Sequence, residues 1–388
     1  MKKAICILMC VIIALPMCFV AGAKEETVAG TLSAKSAILM EMSTGKVLME
    51  SNPDEKLSPA SITKVMTILL TFEALESGQI KLEDRVTASR NASSKGGSQI
   101  WLKEGEIMTV HELLKATVIA SANDACTALG EYISGDETSF IALMNKRAKE
   151  LGMKNTNFEN CSGLDDTVTN HYSTARDVAI MSCELMKHDK IKEYTTIWMD
   201  SLRNGETQLV NTNRLIRYYD GATGLKTGTT SKAGYCVSAT AERDGMALVA
   251  VVLGSDNSTQ RFEDAKKMLN WGFANYAIYQ PQIDMSLITD VTVLNGKENT
   301  LKPIVETPKK ILVKKGEGDK ITQRVDMCVD VEAPVEKSQT LGKVYFEMDG
   351  KILEECAILS ERNYERRSVW FVFSLLWSTF AKKMINFY

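Results

Sequence analysis

The sequence predicts an α+β protein: an antiparallel sheet flanked by helices, with a helical subregion, followed by a small all-β C-terminal domain. Three observations predict it. Strand-like runs near residues 36–51 and after about residue 206 enclose a stretch whose apolar residues recur at helical spacing. Beyond Pro281 the chain changes to short strand-like runs broken by Asn295-Gly296 and Asp349-Gly350, dipeptides suited to tight hairpin turns. A chain of 388 residues also exceeds one comfortable core, so more than one domain is expected.

The N-terminus reads as a targeting segment. Lys2 and Lys3 precede a long apolar run that ends in Ala21-Gly22-Ala23. A basic start, an apolar middle and small residues at the end predict a secretory signal over 1–23, with an uncleaved anchor helix as the alternative. Loss of the two lysines takes the formal charge from −3 to −5. That charge is interspersed and gives no sign of a nucleic-acid partner. Cys6, Cys10 and Cys18 leave with the signal. The other six cysteines are scattered, form no CxxC pair and do not cluster with His111, His171 or His188. No metal site is expected from them. They suit small buried positions, and a disulfide stays open for an exported chain.

Along the mature chain, "SAILMEMSTGKVLMES" predicts a hairpin turning at Ser43-Thr44-Gly45. In "KLSPASITKVMT" Ser58 is placed as an N-cap and Pro59 as the first residue of a helix that ends near Gly78. Residues 109–135 and 139–153 have helical apolar spacing, and "STARDVAIMSCELMKHD" adds a capped helix. Residues 235–255 hold two β-rich runs joined at Asp244-Gly245, and "RFEDAKKMLNWGFANY" closes the unit as an amphipathic helix. The expected division is a mixed helix-and-sheet domain over 24–278, an all-β domain over 279–360 and a tail over 361–388. In that tail an apolar run from Val369 to Phe380 lies between arginines and lysines. Such a run is too short to span a bilayer, which needs about 20 residues, and suits a helix lying in the membrane surface. Packing on its own domain is the alternative.

Ser61 and Lys64 stand at i and i+3, so on a helical turn their side chains are neighbours. A serine hydroxyl is a weak nucleophile until a base removes its proton. A lysine is a base only where burial or a second cation disfavours its ammonium. Alone, S-x-x-K is a weak signal. Its company makes it specific: Ser121-Ala122-Asn123 downstream, then Lys226-Thr227-Gly228 at the head of the β-rich portion.

In these three motifs and their order the chain resembles the penicillin-binding DD-peptidases, which share their fold with serine β-lactamases. The phrases "SPASITKVMT", "GLKTGTTSKAGYCVSATA" and "KKMLNWGF" resemble the low-molecular-mass D-alanyl-D-alanine carboxypeptidases over roughly residues 30–360. The resemblance implies a cofactor-free hydrolase that removes the terminal D-alanine of peptidoglycan stem peptides through an acyl-enzyme on Ser61. β-Lactams would be its covalent inhibitors, and the outer face of the cell membrane a partner of the tail. It also implies roles. Lys64 would take the Ser61 proton, and Ser121 would relay one to the leaving D-alanine. Asn123 would hold the substrate amide and order Lys64. Lys226 would disfavour protonation of Lys64 and attract the substrate carboxylate. Thr227, Gly228, Thr229 and Arg261 would complete the binding site, with the N–H groups of Ser61 and Thr229 as oxyanion hole.

His171 is expected to be structural, Asp165 and Asp166 to serve a turn, and Cys126 to pack in the core. Three alternatives stay open. A β-lactamase would need a water-activating glutamate, and no E-x-x-L-N-like phrase follows S-x-N. A DD-endopeptidase would use the same catalytic residues and differ only in room beyond the leaving residue. A wall-binding relative with a dead site is disfavoured by the intact motifs.

Overall fold

The computed structural model describes residues 32–166 and 168–385. The expected signal over 1–23 therefore lies outside the described residues. Five antiparallel strands form the central sheet: β1 (Ser36–Glu41), β2 (Val47–Ser51), β3 (Ala222–Thr230), β4 (Gly234–Arg243) and β5 (Met246–Ser255), in the order β2-β1-β5-β4-β3. The N-terminal hairpin thus joins the three C-terminal strands, as the enclosing strand runs suggested. Both hairpin turns have local causes. Glu41 is buried and its carboxylate accepts the Ser43 and Thr44 N–H groups at 3.0 and 2.8 Å. Asp244 and Gly245 both take positive φ, 50° and 74°, the twist that antiparallel neighbours require.

Alternation along the strands divides the core in two. Ile38, Met40, Val249, Val251 and Leu253 face one side; Ala37, Leu39, Leu248, Ala250 and Val252 face the other. A sheet covered on both faces explains the nearly continuous apolar run of β5. The first side packs against α1 (Lys64–Glu76), α2 (Asn123–Ser134), α3 (Glu137–Glu150) and α4 (Ala175–Leu185). The second packs against α5 (Ser258–Asn275), through Phe262, Met268 and Leu269. Truncating a residue such as Ile38 to alanine would cost about 2–5 kcal/mol.

Strand Tyr276–Tyr279 leaves α5 and pairs with Ile311–Lys314. Beyond it lie a three-stranded and a four-stranded sheet around Val291, Val344, Phe346 and Ile358. The Asp349-Gly350 turn has both residues at positive φ, 53° and 75°. The chain ends in α6 (Val369–Ile385).

Two local expectations are corrected. Ser58 caps no helix: a 3-10 turn, Ala60–Thr63, precedes α1 with no side-chain cap, and Ser58 Oγ donates to Asp165 Oδ2 at 2.9 Å. The segment over 109–135 is not one helix. It passes through a π-helical turn, Ala116–Ala120, and breaks at Ser121, which adopts the left-handed φ of 61° before α2 begins. The break turns Ser121 out of the helix while Asn123 opens the next one.

Candidate active site

Four segments meet at one end of the sheet: the 3-10 turn with the start of α1, the Ser121 break with the start of α2, the loop over 158–166, and β3. Each is held by groups outside the three motifs. Asn123 N–H donates to Ser98 O at 2.7 Å, and the Asp124 carboxylate accepts from Ile100 and Leu102 N–H at about 3 Å. Thr67 Oγ1, one turn along α1 from Lys64, donates to Cys161 O at 2.7 Å. Gly163 has φ +85°, and a Cβ there would lie 1.8 Å from Ala60 O, so no other residue fits. Gly228 brings β3 against the serine turn. Its Cβ would stand 2.8 Å from Pro59 O and 3.0 Å from Ser61 N.

Lys64 Nζ lies 2.9 Å from Ser61 Oγ, 2.5 Å from Asn123 Oδ1 and 2.7 Å from Ser162 O. The lysine is fully buried, and burial brings its pKa down to about 8. Burial, rather than the neighbouring Lys226 that the sequence singled out, is the largest cause. In the neutral amine two N–H groups serve Asn123 and Ser162, and the lone pair faces the Ser61 hydroxyl. That is the geometry of an activated nucleophile.

Lys226 Nζ lies 2.7 Å from Ser121 Oγ and 3.0 Å from Thr227 O, also in full burial. Burial lowers its pKa first, and the charges of Lys64 and Arg261 lower it further. Among the described residues Ser121 hydrogen-bonds to Lys226, not to Ser61 or Lys64. Thr227 Oγ1 donates to Thr212 Oγ1 at 2.7 Å. Arg261 is not the solvated arginine common at a helix start. It is 7% exposed, and its Nη1 donates to Gly228 O and Thr229 Oγ1, both at 3.0 Å, and to Cys236 O at 3.2 Å. All nine residues selected from the sequence therefore lie in one continuous constellation.

The sequence reading missed the supports. Asp165 is not a turn residue: its Oδ2 accepts from Ser58 Oγ at 2.9 Å and from Thr230 Oγ1 at 2.6 Å, tying the serine turn to the end of β3. No local signal marks it, because both partners are hydroxyls far away in sequence. His171 is structural, as expected. Its Nδ1 accepts from Glu159 N–H at 3.0 Å, so Nε2 carries the proton and donates to Thr63 Oγ1 at 2.8 Å. Burial lowers its pKa to about 4. Cys126 is buried, with Sγ 3.2 Å from Cys161 O, and the six cysteines among the described residues are all free thiols.

Comparison with known proteins finds relatives over most of the chain. The sequence model described as D-alanyl-D-alanine carboxypeptidase, peptidase family S11, matches residues 22–257. That of the penicillin-binding protein 5 C-terminal domain matches 284–366. D-alanyl-D-alanine carboxypeptidase DacF of Bacillus subtilis is 43% identical over 337 residues, 86% of this chain and 86% of the relative. DacC of Escherichia coli is 36% identical over 89% of this chain and 88% of its own length. The crystal structure of penicillin-binding protein 5 from Haemophilus influenzae superposes with a TM-score of 0.75 at 31% identity, covering 86% of this chain and 98% of that one. By sequence over both domains, and by fold, the chain belongs to the S11 D-alanyl-D-alanine carboxypeptidases, low-molecular-mass penicillin-binding proteins.

Proposed function

We propose that this serine DD-carboxypeptidase acts on peptidoglycan stem peptides with Ser61 as nucleophile and Lys64 as its base. The observation that carries the assignment is the contact of Lys64 Nζ with Ser61 Oγ at 2.9 Å, in a site where none of the lysine's three acceptors is a carboxylate. Ser61 Oγ attacks the carbonyl between the two terminal D-alanines while its proton passes to Lys64. The tetrahedral oxyanion is received by the N–H groups of Ser61 and Thr229, which Gly228 allows to stand side by side. Ser121, held by Lys226, delivers a proton to the departing D-alanine nitrogen. Water then hydrolyses the acyl-enzyme. Asn123 positions Lys64 and the substrate amide. Thr227, Thr229 and the charges of Lys226 and Arg261 hold the terminal carboxylate, with Arg261 bracing the Thr229 hydroxyl.

The test is D-alanine release from a diacyl-lysyl-D-Ala-D-Ala peptide, with Ser61→Ala beside the wild type. Release by the wild type alone and a penicilloyl adduct on Ser61 are expected. Release by Ser61→Ala at the wild-type rate overturns the assignment.

The same reading places residues 1–23 as an export signal, 24–278 as the catalytic domain, 279–360 as the β domain and 361–388 as a tail at the outer face of the cell membrane. What supports the tail's role is its surface: Trp370 is 80% and Trp377 66% exposed on α6, with Arg366, Arg367 and Lys382 nearby in sequence. No helix among the described residues is long and apolar enough to cross a membrane, so the helix would lie in the interface. Co-sedimentation of the full chain with anionic vesicles, lost on truncation after 360, tests it.

A further inference from the structure

Trp101 is the most exposed aromatic residue ahead of α6 among the described residues, 75% open to solvent. Its backbone has φ +60°, a left-handed conformation that a bulky side chain rarely adopts. Three contacts impose it. The buried Asp124 carboxylate accepts from the N–H groups on either side of Trp101, Ile100 at 3.1 Å and Leu102 at 3.0 Å. Arg203 Nη1 donates to Ile100 O at 2.8 Å. Ile100 and Leu102 are themselves buried in the core on the helical side of the sheet. The chain is thus pinned on both sides of one outward ring.

A single exposed apolar residue is ordinary on a protein surface. This one stands where glycine or asparagine would take the backbone conformation with little strain, yet the chain carries its largest side chain there. Strain of this kind persists where surrounding contacts over-determine it, and it gathers at ligand sites. The loop that bears the ring also builds the catalytic cleft. Its Gly96 O accepts from Asn123 Nδ2 and its Ser98 O from Asn123 N–H, both at 2.7 Å. Asp124, which fixes the ring, directly follows Asn123, which positions Lys64. Trp101 lies three residues beyond Ser98, at most about 11 Å of chain. Around it Ser98, Lys103 and Glu104 are exposed and Gln99 is half-buried, so the ring is one flat apolar surface in a polar rim.

A pyranose has the matching character: an apolar face of C–H groups with hydroxyl and amide groups at its edge. Peptidoglycan supplies such rings on the donor side of the scissile bond. Four residues of a stem pentapeptide separate the scissile carbonyl from the sugar, a reach of about 14 Å when extended, comparable with the distance from Ser98 to the ring. We infer that Trp101 is a saccharide platform that holds the N-acetylated amino sugar bearing the stem peptide, stacked face to face on the indole. This rests on the carboxypeptidase reading above and adds a glycan subsite to it. Because Asp124 holds the loop in place beforehand, little conformational freedom is lost on binding, and the contact acts through KM.

The experiment uses the full-chain enzyme and two substrates that differ only in the saccharide: a stem pentapeptide, and the same pentapeptide on its N-acetylglucosaminyl-N-acetylmuramic acid disaccharide. D-Alanine release gives kcat and KM for the wild type, Trp101→Gly and Trp101→Phe, and penicillin acylation confirms a folded catalytic site in each. The wild type is expected to show a KM about fivefold lower for the disaccharide substrate at similar kcat. Trp101→Gly is expected to lose that advantage, to keep wild-type kinetics on the free peptide, and to melt at or above the wild-type temperature, since glycine relieves the strained φ. Trp101→Phe keeps a flat ring and is expected to retain most of the advantage. Equal KM for the two substrates in the wild type overturns the inference and leaves the carboxypeptidase standing. So does a KM ratio unchanged in Trp101→Gly, the result for a ring that serves a membrane or a protein partner. Equal losses on both substrates with a lower melting temperature make Trp101 a structural residue and also overturn it. Turnover of neither substrate by a wild type that still acylates removes the carboxypeptidase reading itself, and the inference with it.

Discussion

Lys64 Nζ stands 2.9 Å from Ser61 Oγ with its other partners, Asn123 Oδ1 and Ser162 O, both neutral. A buried ammonium with no carboxylate against it sheds its proton readily, which is why its pKa falls to about 8. The base must be neutral to act. Acylation by penicillin is therefore expected to rise with pH, half-maximal near about 8, and to level off about one unit higher. Lys64→Ala should lose about 10²–10⁴-fold on the alkaline plateau, progressively less toward pH 6, and lose this limb of the profile. Stopped-flow acylation from pH 6 to 10 (about four units, spanning the base's titration) measures both.

Asp165 holds two hydroxyls with one oxygen. Asp165→Ala leaves Ser58 and Thr230 without their acceptor and is expected to lower stability by about 1–3 kcal/mol and slow acylation. Ser58→Ala removes one donor and should cost about 0.5–1.5 kcal/mol. The double variant is expected to cost less than the sum, because both changes break one network. Urea denaturation of the four proteins checks this.

Close backbone approach makes two glycines indispensable. Gly163→Ala places a methyl group 1.8 Å from Ala60 O at a φ of +85°, so the serine turn must shift. A drop in stability of more than about 2 kcal/mol is expected, with loss of acylation. Gly228→Ala drives a methyl against Pro59 O at 2.8 Å. There the stability change is expected to be smaller than the loss of rate, because the strand can recede from Ser61. Melting temperatures and acylation rates together separate the two cases.

His171 makes the folded protein acid-sensitive. Its ring titrates near 4 in the fold against an ordinary 6.5, because burial excludes the charged form. A depressed folded value means that the contribution is present above pH 6.5 and lost as pH falls toward 4. The full difference is about 3 kcal/mol. His171→Gln is expected to be less stable at neutral pH and to lose less between pH 6.5 and 4 than the wild type. Urea midpoints at the two pH values test it.

Much of the site could be read in the sequence because its reactive groups lie in short contiguous phrases. A serine and a lysine three apart are neighbours on any helical turn, and Lys226, Thr227 and Gly228 share one strand. The central sheet was legible for a related reason. Its strands are short apolar runs and its hairpins turn on two or three local residues, so each element is specified within a few residues.

What the sequence left open depends on residues far apart along the chain. Ser162 O and Asp165 reach the serine turn across 98 and 107 positions, as a backbone carbonyl and an acid on hydroxyls, groups that carry no motif. The helical spacing over 109–135 gave no warning of the break at Ser121, since the left-handed residue that ends it is not a glycine. The sequence by itself singled out side chains that the fold brings together at one site. Only the tertiary structure decided that Lys64 is dry enough to be a base and that Ser121 pairs with Lys226. Burial and long-range contact set pKa and orientation, and both exist only once the chain has folded.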